Sequence, residues 1–164
     1  MSSSKLLPDQ ERWLRLTRRY LRFGTRSTAQ ARAYLRSRGA ADRAIQQTIA
    51  YATQHGWLDD RACGRVQAVS LADRGFSDAA IHRRLIAQGL DERLVGRTLQ
   101  ALRAEADEAT RARRVVDERL ARRRAPAAES IQRRRGRLAR LLSQRGFDPE
   151  LIEQVLLHAL PDTQ

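Results

Sequence analysis

The sequence has a single cysteine, Cys63, so it cannot form a disulfide within the chain. It has only four prolines and nine glycines among 164 residues, and this scarcity of helix breakers favours helices over a sheet. No apolar run approaches the roughly eighteen residues of a membrane span, and the first residues lack the apolar core of a secretory signal. We therefore predict an all-α cytoplasmic protein that does not contact a membrane.

Lysine is nearly absent too, because Lys5 is the only basic residue of 32 that is not arginine. With 19 acidic residues the net charge is +13. The charge is uneven: 1–39 and 107–146 each carry +8, 40–106 carries +1, and 147–164 carries −4. Two strongly basic segments favour a polyanionic partner, nucleic acid before membrane.

Three segments align without gaps on a glycine, which predicts an internal repeat. The segments are 27–49, 77–99 and 134–156, and the aligned glycines are Gly39, Gly89 and Gly146. In each segment, apolar residues four apart line one face of a short helix, the glycine ends that helix, and a second helix follows. The predicted N-caps of these helices are Ser27, Ser77, Asp91 and Asp148.

A further helix is expected before each pair. These helices are predicted over about 9–24, 60–73 and 107–124. The expected packing residues are Trp13, Leu16, Tyr20 and Phe23 in the first of them, and Val66 and Val69 in the second. The predicted fold is all-α, with three tandem three-helix repeats in an elongated, curved array. Its units are 1–56, 57–105 and 106–164, the last with an acidic C-terminal tail.

The segment HGWLDD at 55–60 contains two adjacent acids, which can serve as metal ligands or as an acid–base pair. The structural alternative is that Gly56 ends one helix, Asp59 caps the next, and Asp60 adds a negative charge in its first turn. No second carboxylate cluster is present, and the three histidines lack ligand spacing, so we favour the structural alternative. Because no nucleophile–base set or P-loop is present either, we predict neither enzymatic activity nor a cofactor.

Arginines recur at helical spacing in both basic segments. The first row contains Arg12, Arg15, Arg19, Arg22 and Arg26, which span about 80° of a helix face. The second row contains Arg133, Arg137 and Arg140, with Arg111, Arg114 and Arg122 as an extension. Arginine forks match the oxygens of phosphates and carboxylates, so both rows are candidate binding surfaces. For any single arginine, the alternative is a solvated face without a ligand.

Residues 55–95 resemble the RecX family of bacterial regulators of the RecA recombinase. The resemblance is carried by Gly56-Trp57-Leu58-Asp59-Asp60, Gly75-Phe76, Ile81 with Leu85, and Gln88-Gly89-Leu90-Asp91. The repeat extends the resemblance over about 17–157. Cys63, Gln67 and Leu71 depart from the family pattern.

The resemblance implies a tandem-repeat protein that binds RecA and the RecA–single-stranded DNA filament. It implies inhibition of RecA's ATP hydrolysis, strand exchange and co-protease activity, and so modulation of recombination, DNA repair and the SOS response. A general basic α-helical nucleic-acid-binding protein without a RecA partner is the alternative. No long heptad repeat is present, so we expect a monomer. Two points stay open from the sequence: whether the contacts are mainly to RecA or to DNA, and whether filament growth is blocked or disassembly promoted.

Overall fold

The structure is a computed structural model that describes residues 8–122 and 130–161. Within those ranges the chain forms α-helices and no strands, which confirms the predicted all-α class. In chain order the helices are α1 (Pro8–Leu21), α2 (Thr28–Ser37), α3 (Asp42–Gln54), α4 (Asp60–Asp73), α5 (Asp78–Ala87), α6 (Glu92–Glu105), α7 (Glu108–Arg122), α8 (Ile131–Gln144) and α9 (Pro149–Ala159). The final residues of the predicted acidic tail, 162–164, lie outside the described residues.

Helices begin at the predicted capping residues. The Ser27 hydroxyl accepts a hydrogen bond from the Gln30 N–H at 3.1 Å, and the Gln30 side chain accepts one from the Ser27 N–H at 3.0 Å. This reciprocal capping box satisfies two backbone donors at the start of α2. Ser77, Asp91 and Asp148 cap α5, α6 and α9, each through one side-chain oxygen that accepts a hydrogen bond from a backbone N–H.

Two of the aligned glycines meet two requirements at once. Gly89 has a φ of +76°, and a Cβ built there would lie 2.4 Å from the Cβ of Ala29. Gly146 has a φ of +86°, and its Cβ would lie 2.8 Å from the hydroxyl oxygen of Ser77. Both the left-handed backbone and the close approach to an earlier helix start therefore exclude a side chain.

The contacts divide the chain into two compact units. Unit 1 comprises Met1–Gln67 and Leu85–Val95, and unit 2 comprises Ala68–Arg84 and Gly96–Gln164. The predicted division at residues 56 and 105 follows the sequence repeat instead, and it stays a prediction.

Unit 1 packs α1, α2 and α3 against one another around an apolar core. Its largest buried side chains are Trp13, Leu35, Ile45, Ile49 and Leu58. Four of them lie on α1 to α3 at the helical spacing identified in the sequence, while Leu58 comes from the HGWLDD segment. The segment therefore contributes to the core that positions α1.

Unit 2 packs α7, α8 and α9 in a comparable way. Its buried apolar side chains include Val116, Leu138, Leu142, Phe147 and Leu156. The leucines and Phe147 come from the third copy of the repeat, so the aligned apolar positions form the core there as well.

Three of the predicted packing residues are instead exposed. Val66 and Val69 are 52% and 38% exposed, because α4 turns Cys63, Leu71 and its alanines inward rather than its valines. Phe23 is 76% exposed because α1 ends at Leu21, so the helical spacing that aligned it with Trp13 no longer applies. These predictions from spacing were wrong.

The two acids of HGWLDD have different structural roles. One Asp59 carboxylate oxygen accepts hydrogen bonds from the N–H groups of Arg61 and Ala62 at 2.8 and 3.0 Å, so Asp59 is the predicted N-cap of α4. The half-buried Asp60 instead accepts from both the N–H and the hydroxyl of Thr28, each at 2.8 Å. Asp60 therefore caps α2, a tertiary contact beyond the dipole role predicted for it.

The other residues of the HGWLDD segment end α3 and pack beside it. Gly56 has a φ of +69° at the end of α3, as the helix-end prediction requires. The Trp57 ring is covered by the guanidinium of Arg18 at 4.2 Å from the ring centroid, while Leu58 is 1% exposed. Gly75, with a φ of +76°, ends α4 in the same way as Gly56 ends α3.

Candidate functional site

The exposed face of α1 carries part of the first arginine row. Arg12, Arg15 and Arg19 line a cavity of about 450 Å³ together with Arg38 and the aliphatic side chain of Leu16. The three α1 arginines share a face because they lie three and four residues apart on one helix. Among the described residues that line it, none is acidic, so the cavity concentrates positive charge.

Arg38 is the member of this surface that helical spacing could not find. It is the C-cap residue of α2, directly before Gly39, and it reaches the α1 row only because α1 and α2 pack together. Its guanidinium lies 5.1 Å from the centroid of the Tyr34 ring, and that of Arg12 lies 4.8 Å from the centroid of Trp13. Cation–π contacts of this kind help to orient guanidinium groups without neutralising their charge. We call this set, Arg12, Arg15, Arg19 and Arg38, the α1 groove.

The last two members of the predicted row do not line the α1 groove. Arg22 follows the end of α1 and is exposed. Arg26 is half-buried, and its guanidinium lies 5.3 Å from the centroid of the Tyr20 ring, which stacks on Tyr34 at 4.2 Å. No described residue pairs with its buried Nε. The structure thus separates Arg22 and Arg26 from the continuous row predicted for them.

The second row lies on α8 as predicted. Arg133, Arg137 and Arg140 are exposed and line a cavity of about 360 Å³ with Gly136. The absence of a side chain at Gly136 leaves the space between the arginine stems open. We call this set the α8 face.

The predicted extension of the second row needs one correction. Arg111 is 3% exposed, and its guanidinium forms an ion pair with Asp78 and donates to the carbonyl oxygen of Ala106 at 2.8 Å. Buried in unit 2 with these partners, Arg111 is not available as a surface contact. Arg114 and Arg122 are exposed, although Arg122 lies 3.8 Å from Glu118.

Arg111 belongs to a cluster of charged side chains at the start of α5. The Asp78 carboxylate is 5% exposed and accepts from Arg111 and from Arg103, while its own N–H donates to Glu108 at 3.1 Å. Burial, together with the nearby Asp78 charge, holds the pKa of Glu108 above its ordinary value. Two acids and two arginines therefore balance one another inside unit 2, and this role is structural.

Metal binding, thiol reactivity and membrane spanning each require a specific structural feature. Residues 8–122 and 130–161 contain no group of three His, Cys, Asp or Glu side chains placed to hold a metal ion. Burial raises the pKa of the Cys63 thiol, which disfavours the reactive thiolate. No helix in the described part of the chain is long and apolar enough to cross a membrane.

The chain is similar to RecX proteins in both sequence and fold. Residues 105–156 match a family model described as RecX, third three-helix domain. The chain is 29% identical over 134 residues to Regulatory protein RecX of Serratia proteamaculans (strain 568), covering 82% of this chain and 76% of that relative.

Two solved structures share the fold. The crystal structure of RecX from Lactobacillus salivarius superposes with a TM-score of 0.73 at 17% identity, covering 93% of this chain and 97% of that one. Another crystal structure of regulatory protein RecX gives a TM-score of 0.67 at 16% identity, covering 90% and 71% of the two chains. Together with the sequence matches, these likenesses confirm the predicted resemblance to the RecX family.

Proposed function

We propose that this RecX-family chain binds the RecA–DNA filament and inhibits RecA's ATP hydrolysis, strand exchange and co-protease activity. It would thereby modulate recombination, DNA repair and the SOS response, acting in the cytoplasm as a monomer without a cofactor. The observation that carries the binding part of the proposal is the α1 groove, in which four guanidinium groups meet without an acidic residue among the described lining.

The chemistry of the α1 groove suits a filament of RecA on DNA. Each guanidinium offers a planar fork of N–H donors that fits the oxygens of a phosphate or a carboxylate. Arg12 and Arg19 are seven residues apart, or about 10 Å along the helix axis, which is about three phosphates of one strand at duplex spacing. A stripe of this length can follow a strand rather than hold one isolated anion.

The α8 face offers a second surface of the same kind on unit 2. Both surfaces consist mainly of arginines on one exposed helix face, an arrangement that suits contacts to phosphates, which carry no sequence information. Binding through phosphates and acidic side chains would place the protein on a filament irrespective of DNA sequence. That property fits a regulator of a recombinase better than a sequence-specific repressor.

The deciding test is RecA-catalysed ATP hydrolysis on single-stranded DNA, titrated with the protein. We expect inhibition at well below one molecule of the protein per RecA protomer. Replacing Arg12, Arg15 and Arg19 together by glutamine should raise the concentration for half inhibition by about tenfold. This change assumes that each exposed arginine contributes under about 1 kcal/mol to the free energy of binding. Both blocked filament growth and promoted disassembly would lower hydrolysis, so the assay tests the proposal in either case.

A matched control changes the same charge elsewhere on unit 1. Arg32, Arg43 and Arg61 are exposed and lie outside the lining of the α1 groove. Their triple glutamine variant should inhibit nearly as well as the wild-type protein. Unchanged hydrolysis at every dose of wild-type protein, combined with tight salt-dependent binding to DNA alone, would instead identify a general nucleic-acid-binding protein.

A further inference from the structure

Unit 2 contains another cavity in which arginines from separate elements meet. The cavity has a volume of about 310 Å³ and is lined by Arg74, which follows α4, by Arg114 of α7 and by Arg145 at the C-cap of α8. Of these, helical spacing indicated only Arg114, because the other two arrive there through tertiary packing. The carboxylates of Asp73 and Glu118 also line the cavity.

Two of the three guanidinium groups are held in place by the surrounding backbone. Arg114 donates from Nη2 to the carbonyl oxygens of Ala72 and Asp73 at 2.8 and 3.2 Å, which fixes it at the end of α4. Arg145 packs over Gly75, where a Cβ would lie only 2.4 Å from its Nη1. The helix-ending glycine therefore leaves the space that the Arg145 guanidinium occupies.

The guanidinium of Arg145 lacks a hydrogen-bond acceptor among the described residues, although the Glu118 carboxylate attracts it from a distance. Burial, together with repulsion from Arg119 and Arg74, holds its pKa below the ordinary arginine value. Glu118 also lies 3.8 Å from Arg122, so its charge is shared. A preorganised guanidinium with unused donors is the usual feature of an anion site.

We propose that Arg74, Arg114 and Arg145 form a site for one phosphate group of a nucleic-acid strand. The three guanidinium groups come from three elements, and a tetrahedral phosphate can accept donors from several directions. The oxygens of a planar carboxylate accept from about two arginines, as Asp78 does from Arg103 and Arg111, so a protein acid would leave one of the three unused. The site rests on the proposed function only in that DNA is the polyanion, and two of its three arginines, Arg74 and Arg145, lie outside both predicted rows.

The test measures binding of the full-length protein to a labelled single-stranded oligonucleotide by fluorescence anisotropy, without RecA and over a series of salt concentrations. Arg145→Gln should weaken binding by about tenfold, as expected for lost hydrogen bonds to a charged group. It should also reduce the salt slope by about 0.7, the value for one phosphate contact on a single strand. Arg145→Lys should retain the slope, because the charge remains, but not the full affinity.

Two further variants separate the site from general effects. Arg74 is exposed, so Arg74→Gln should reduce the slope similarly without unfolding the protein. Arg97→Gln makes the same charge change at an exposed position of α6 outside the cavity lining, and it should leave the slope nearly unchanged.

Three results would overturn the site. The first is a wild-type slope and affinity in both Arg145→Gln and Arg74→Gln. The second is a loss confined to RecA-coated filaments with unchanged binding to naked DNA, which would assign the cavity to a protein carboxylate. The third is the absence of wild-type binding to the oligonucleotide at low salt. Since the first and third results are measured without RecA, they are independent of whether the protein inhibits ATP hydrolysis.

Discussion

Replacing Asp60 by alanine should destabilise the protein more than replacing its neighbour Asp59, although both acids belong to one motif. Asp59 is exposed and caps its own helix through two backbone N–H groups. Asp60 is half-buried and holds both the backbone and the hydroxyl of Thr28, which begins a different helix. The first contact is local, whereas the second joins α4 to α2 and depends on the tertiary fold.

The magnitudes follow from the number and setting of these hydrogen bonds. Loss of an exposed N-cap such as Asp59 destabilises by about 1 kcal/mol. A hydrogen bond to a charged group contributes roughly 1.5 to 3 kcal/mol. Asp60 makes two such bonds at 2.8 Å, so at its partial exposure we expect Asp60→Ala to destabilise by about 2 to 3 kcal/mol. With a urea m-value near 2 kcal/mol/M, the unfolding midpoint should fall by about 1 M.

The assay is urea unfolding of wild type, both single variants and a double-mutant cycle with Thr28→Val. Thr28→Val removes the hydroxyl but keeps the backbone N–H, so its coupling with Asp60→Ala isolates one hydrogen bond and should be about 1 kcal/mol. Equal effects of Asp59→Ala and Asp60→Ala, together with zero coupling to Thr28, would refute the assignment of Asp60 as the cap of α2.

Two predictions concern the charged cluster of unit 2. Asp78→Asn should destabilise the protein by about 3 to 5 kcal/mol, because it leaves the buried Arg111 charge without its partner. Arg103→Gln, with a side chain that is 61% exposed, should change urea stability by under about 1 kcal/mol, and equal effects would contradict this account. Because the folded pKa of Glu108 is raised, its stabilising contribution is complete at low pH and is lost as pH rises. Urea titrations should therefore show Glu108→Gln gaining stability relative to wild type between about pH 4 and pH 7, and a constant difference would exclude the effect.

Local chemistry made much of the fold predictable from the sequence. Caps such as Ser27 and Asp148 act on N–H groups two or three residues away, so the sequence contains both partners of each contact. The helix-ending role of Gly89 likewise depends on the backbone of one residue. The helix starts at these caps, and core positions such as Leu35 and Leu142, were predicted correctly, whereas the end of α1 was predicted near residue 24 and lies at Leu21.

The candidate site was less predictable because it depends on which helices meet. Spacing placed Arg12, Arg15 and Arg19 on one face, and the structure brings them together with Arg38 at the C-cap of α2. Spacing also grouped Arg111 with exposed arginines, although its helix turns it into the interior. A helical period gives the relative angle of side chains but not which angle faces the core, and only packing against other elements decides that.

The buried cluster also explains part of the arginine content without reference to binding. In the repeat alignment, Asp78 occupies the position of Thr28. Glu108 begins α7, the helix after α5 and α6, just as Asp60 begins α4, the helix after α2 and α3. In the first copy, the Thr28 hydroxyl donates to the Asp60 carboxylate. In the second copy, the carboxylate of Asp78 replaces that hydroxyl, so two acids, Asp78 and Glu108, lie close together. Left alone, that pair would repel, and Arg103 and Arg111 supply the compensating charge. Arg111 is buried and paired, so the net charge of +13 includes a guanidinium that a ligand cannot reach. The net charge therefore does not identify a binding surface by itself, whereas the position and exposure of individual guanidinium groups, as in the α1 groove, can do so.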